Sequence, residues 1–89
     1  MKTYVLSFEL NNDYDQSMMF EELATLGELQ QAMSSTWFLK SELTAKEIRD
    51  QLAEHLAPDE RVMVMKSSGP AAWRNVMCDN KWIVENLSK

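Results

Sequence analysis

A chain of 89 residues with 45% hydrophobic and 26% charged side chains has the composition of one globular domain, and no stretch reaches the roughly 18 consecutive apolar residues of a membrane helix. A formal net charge of −5 and a pI near 4.7, with nine scattered Lys and Arg, disfavour unassisted binding to nucleic acid, whose phosphates call for a basic field. One cysteine and one histidine exclude an internal disulfide and a zinc site built from Cys and His; with an N-terminus that leads directly into a strand, they point to a cytoplasmic protein.

The first predicted element is a strand over residues 3–10. Tyr4, Leu6, Phe8 and Leu10 alternate onto one face, and Val5, Ser7 and Glu9 onto the other, so the strand ends with a carboxylate on its non-core side. Asn11-Asn12-Asp13-Tyr14-Asp15 reads as a polar turn in which Asp13 or Asp15 caps the next helix. That helix places Met19, Leu23 and Leu26 on one side and Glu21 and Glu22 on the other, and Gly27 is expected to end it in the left-handed conformation. A short strand over 29–33, a turn at Ser34-Ser35 and a stronger strand over 36–40 follow.

Thr44-Ala45-Lys46-Glu47 matches a capping box, flanked by Leu43 and Ile48 as a hydrophobic staple. Ile48, Leu52 and Leu56 line the inner face of this second helix, which must end before Pro58. Residues 61–66 are apolar on alternate and intervening positions, which predicts a strand buried on both faces. Beyond Ser67-Ser68-Gly69-Pro70, a tail with a short helical segment is expected to pack Trp82, Ile83 and Leu87 back onto the body. The whole is a single domain, with a core over 3–66 and a C-terminal extension over 67–89. Strand, helix, strand, strand, helix, strand predicts an α+β, ferredoxin-like βαββαβ fold: a four-stranded antiparallel sheet with two helices on one face. The opposite face is left for a second copy or for the tail.

Four segments carry a resemblance to a known family: Tyr4-Val5-Leu6-Ser7-Phe8-Glu9-Leu10, Ser35-Thr36-Trp37-Phe38-Leu39-Lys40-Ser41, Leu43-Thr44-Ala45-Lys46-Glu47-Ile48-Arg49-Asp50 and Asp59-Glu60-Arg61-Val62-Met63-Val64. Over residues 3–66 the chain resembles the SinR-like branch of the small ferredoxin-like proteins that include the CRISPR-associated Cas-two subunits and the endoribonuclease antitoxins of type V toxin–antitoxin pairs. The resemblance implies a homodimer with paired sheets. It also implies, in nuclease members, an aspartate from each subunit holding a divalent metal at the two-fold axis. The matching position here is Glu9, whose carboxylate stands one methylene further out, and Mg²⁺ tolerates misplaced ligands poorly. Some members of the larger family act as architectural subunits without cutting.

Glu9 is therefore the candidate catalytic residue and, with Asp13, the candidate ligand for Mg²⁺ or Mn²⁺; the alternative for Glu9 is a solvated strand-end carboxylate. Asp13 and Asp15 more simply form an Asx turn and helix cap. Ser7 shares the face of Glu9. His55 lacks a partner nearby in sequence, and Cys78 lacks a histidine motif that would make it a nucleophile. Trp37 and Phe38 alternate, so one faces the helices and the other the open face, where an aromatic stacks a base or centres a protein interface. The acidic balance favours the interface, with Val5, Ser7, Trp37, Phe38, Trp73 and Trp82 as its residues. The seven methionines read as gap fillers in a small core. The expected function is a non-catalytic dimeric binding module that engages a protein partner or, less favoured by the acidic balance, a nucleic acid, in a defence, toxin–antitoxin or mobile-element setting. The alternative is a metal-dependent endoribonuclease with a carboxylate pair on the dimer axis.

Overall fold

The computed structural model describes residues 1–11 and 17–87. Its elements are β1 (Lys2–Glu9), α1 (Ser17–Leu26), β2 (Glu28–Met33), β3 (Thr36–Ser41), α2 (Ala45–Ala53), β4 (Arg61–Lys66) and α3 (Asn80–Leu87). The strands form one four-stranded antiparallel sheet in the order β2-β3-β1-β4. The result is an α+β architecture compatible with a ferredoxin-like fold.

The alternation in β1 sets the main core. Tyr4, Leu6 and Phe8 are buried with Leu39 of β3 against Met19 and Leu23 of α1 and Ile48 and Leu52 of α2. Each such side chain contributes about 1.5–3 kcal/mol of burial, so this layer holds both helices to one face. The Tyr4 hydroxyl donates to the Leu43 carbonyl at 2.6 Å, and burial, with the Glu47 charge behind it, raises its pKa. The capping box is present as expected: the Glu47 amide donates to Thr44 Oγ1 at 3.1 Å, and the Thr44 amide donates to Glu47 Oε1 at 3.0 Å. Ser41 Oγ donates to the Leu26 carbonyl at 2.7 Å and accepts from the Leu43 amide at 3.2 Å, so one buried hydroxyl joins the end of α1 to the entry of α2.

Gly27 does end α1, but for a different reason from the one expected. Its φ is not positive; instead, a Cβ at this position would lie 2.0 Å from the Lys40 carbonyl oxygen. The residue is small because the backbone of β3 passes directly against it.

The tail packs on the opposite face of the sheet. Ile83 and Leu87 of α3 are buried with Ala32 of β2 and Phe38 of β3, and Trp82 stacks on Phe38 with ring centres 6.1 Å apart and planes 15° from parallel. Gly69, at φ +78°, lies where the chain leaves β4. Ser67 Oγ donates to the Leu87 carbonyl at 3.3 Å, and the Met77 amide donates to the Ala32 carbonyl at 2.8 Å. The reverse face is therefore closed over β2 and β3 by the chain itself.

The other half of that face differs from expectation. Val62 and Val64 of β4 are half-buried on the helix side, whereas Met63 and Met65 on the reverse side are 54% and 49% exposed. The strand is apolar on both faces, but one face has no cover within the described residues, because α3 lies over the β2–β3 side. Among the described residues no helix is long and apolar enough to cross a membrane.

Candidate interaction surface and the Glu9 carboxylate

Glu9 closes β1 on the reverse face, directly opposite Arg61 at the start of β4. Its Oε2 accepts from Arg61 Nη1 at 2.9 Å, with both side chains more than 70% exposed. An exposed pair of this kind contributes at most about 1 kcal/mol. It does, however, give the carboxylate a cationic neighbour that a divalent metal would have to displace. Just beyond, the Asn11 amide donates to Glu60 Oε2 at 2.7 Å and the Ala57 amide donates to Glu60 Oε1 at 2.7 Å. The buried Glu60 carboxylate thus ties the α2–β4 turn to the end of β1, and its oxygens are turned inward. Asp13 and Asp15 lie outside the described residues. Among the described residues no three His, Cys, Asp or Glu side chains converge as a metal site.

The predicted interface residues separate into three places. Phe38, Trp73, Trp82 and Val5 gather in the chain's own second core. Trp73 is fixed there by an Nε1 hydrogen bond to Asn80 Oδ1 at 3.0 Å, and Trp82 Nε1 donates to Glu28 Oε1. Trp37 faces the helices, its ring centre 4.7 Å from that of Phe20, which meets Phe8 edge-on. These rings line a cleft of about 320 Å³ with Leu10, Gln31, Ser34 and Ser35. Ser7 stays on the reverse face, paired across the ladder with Met63.

Sequence spacing hid two partnerships. His55 meets Glu22 of α1 through Nε2 and Oε2, a contact across 33 positions of sequence. Arg61 meets Glu9 across 52. Cys78 sits at the margin of the second core, where burial raises its pKa and makes it a poor nucleophile.

The surface that stands out is β4 itself. The Ser67 amide donates to the Thr3 carbonyl at 2.8 Å, in register with the β1–β4 ladder. Antiparallel pairs alternate between hydrogen-bonded and non-bonded, so Arg61, Met63 and Met65 direct their amides and carbonyls at β1. Val62, Val64 and Lys66 direct theirs outward, away from the sheet. On the reverse side Met65 lies opposite half-buried Val5, and Met63 opposite Ser7, which gives an apolar strip next to that row of outward backbone groups. On the helix side shallow depressions follow the same edge, one between Ala45, Lys46 and Arg49 of α2 and Val62 and Val64 of β4. The signal available in sequence was the Val-Met-Val-Met run, which predicts cover on both sides without saying what supplies it.

Comparison with family models, curated proteins and solved structures finds no match to this chain.

Proposed function

We propose that this chain is a small Cas-two-like dimeric module of ferredoxin-like βαββαβ fold that binds rather than cuts, engaging its partner through the open β1–β4 half of the sheet. The element order and the strand order β2-β3-β1-β4 support the fold reading, since two right-handed βαβ units interleaved produce that order. The observation that carries the functional reading is the exposed Met63–Met65 strip on an edge strand. Natural sheets blunt such edges unless they are used, because unpaired backbone groups beside apolar side chains recruit another strand.

The competing reading, an Mg²⁺- or Mn²⁺-dependent endoribonuclease with paired Glu9 carboxylates, draws its support from the position of Glu9 at the exposed end of β1. The Arg61 guanidinium beside it weighs the other way. Incubation of RNA with the purified protein in Mn²⁺ or Mg²⁺ separates the two, and light scattering checks the dimer that both require. Dimers and intact RNA are expected. Cleavage by the native protein that is lost in Glu9→Gln would replace the binding reading with the catalytic one.

A further inference from the structure

The β4 edge is self-complementary, and its geometry restricts how two copies meet. Antiparallel pairing of β4 with a second β4 places the two-fold axis perpendicular to the sheet, so like faces stay together and only same-face residues stand opposite each other. Registers that would set Arg61 against Lys66 are excluded on that ground, because those two residues lie on different faces.

Two registers keep the strands well overlapped. One centres on Met63 and brings Lys66 opposite Glu60, but the Glu60 amide already donates to the Ala57 carbonyl at 3.0 Å and its carboxylate holds two backbone amides. It also sets the Arg61 side chain against Met65. The other centres on Val64. There, the outward groups of Val64 meet those of its equivalent, and Val62 and Lys66 exchange hydrogen bonds across the axis, for roughly six bonds in all. Met63 then stands opposite Met65 of the partner subunit on the reverse face, in a non-hydrogen-bonded pair where side chains are closest. Arg61 falls opposite Ser67, so no like charges face each other. Every outward backbone group of β4 gains a partner in this register.

We infer that the partner on this edge is a second copy of the chain, joined through β4 about a two-fold axis at Val64 to make a continuous eight-stranded sheet. The inference rests on the dimeric reading above and specifies its contact. Each copy carries a net charge of −5, so the copies repel at long range and the association tightens as salt screens them. An acidic peptide drawn to Arg61 and Lys66 would respond in the opposite sense.

The test uses the full chain. Val64→Pro removes an amide that points away from β1, and proline is tolerated at such edge positions, so the subunit keeps its fold while the axial hydrogen bonds are lost. Light scattering across the micromolar to millimolar range is expected to show dimers for the native protein and a dimer weakened at least about tenfold for Val64→Pro, the equivalent of about 1.4 kcal/mol. In a Cys78→Ser background, Val64→Cys is expected to cross-link with itself on mild oxidation, since a hydrogen-bonded pair holds its Cα atoms about 5.5 Å apart, within disulfide reach. Met63→Cys alone is expected not to cross-link, being two positions out of register with its equivalent. A native dimer that Val64→Pro leaves intact, or that cross-links through Met63→Cys and not Val64→Cys, overturns the edge assignment while the dimeric reading stands. A native protein that remains monomeric throughout overturns both. If Val64→Pro does not fold, the two cysteine variants decide the matter by themselves.

Discussion

At the β2 edge the register shifts between Gln31 and Met33, the Met77 amide occupies the Ala32 carbonyl, and α3 lies over the flank. At the β4 edge the ladder runs without a shift from Tyr4–Lys66 to Glu9–Arg61, and Met63 and Met65 are about half exposed. A bulge with a covering segment is how a sheet stops its own growth, and a straight apolar edge is how it continues. One sheet here does both. The tail does not seal the whole reverse face but spends its tryptophans on the β2–β3 side, and the difference marks β4 as the working side.

That contrast can be broken most forcefully at the closed edge. Ile83 is fully buried on the inner side of α3, so Ile83→Ala should lose about 2–5 kcal/mol in urea denaturation and loosen the cover over Phe38. A loss below about 0.5 kcal/mol would mean that the tail is not a structural seal. Next in size is Gly27→Ala at the root of β2. Its methyl group would collide with the Lys40 carbonyl, and a cost of about 1–3 kcal/mol is expected, read in the same experiment. A neutral result would show that β2 and β3 can separate there without cost.

On the open side the effects are smaller and sharpen the comparison. Thr44→Ala should cost about 1 kcal/mol by removing the cap of α2, the helix beside β4. The Thr44 hydrogen bonds hold the Glu47 carboxyl below its usual range, and those from Arg49 and Lys46 do the same for Asp50. Because both carboxyls are lowered in the folded state, their contribution is present above the ordinary values of 4.5 and 3.8 and is lost as the pH falls through the lowered ones. Acid titration followed by NMR should therefore fray the start of α2, and Thr44→Ala should shrink the Glu47 part of that response without abolishing it, because the residue 44 amide still donates to Glu47 Oε1. Smallest of all, Met65→Ala should change the stability of the isolated subunit by no more than about 0.5 kcal/mol, since half of the side chain is already in water. A large loss in a monomer would place Met65 in a core.

Much of this architecture was legible in the chain because its determinants are local. The period-two alternation of Tyr4, Leu6 and Phe8 gave the strand and its inner face, and Thr44 with Glu47 gave the start of α2. What could not be read depended on distant neighbours. Gly27 reads as a helix stop, but the residue type answers to the Lys40 backbone, 13 positions away in sequence and visible only once β3 is in place. Glu9 reads as a bare carboxylate until Arg61 arrives from β4. The apolar character of Val62 to Met65 announced cover on both sides, but whether the tail or another molecule supplies it depends on where α3 settles. Phe38 and Ala32 decide that by offering an apolar seat next to the bulged edge.

The central claim is that the outward backbone of β4 is a contact surface whose inward backbone is already used. Residue-resolved amide hydrogen exchange at low and high protein concentration tests it directly. The amides of Arg61, Met63 and Met65 should be protected at both concentrations, and those of Val62, Val64 and Lys66 should exchange rapidly when dilute and become protected when concentrated. Val62, Val64 and Lys66 amides that stay rapid at every concentration, or are protected even in the dilute subunit, would contradict it.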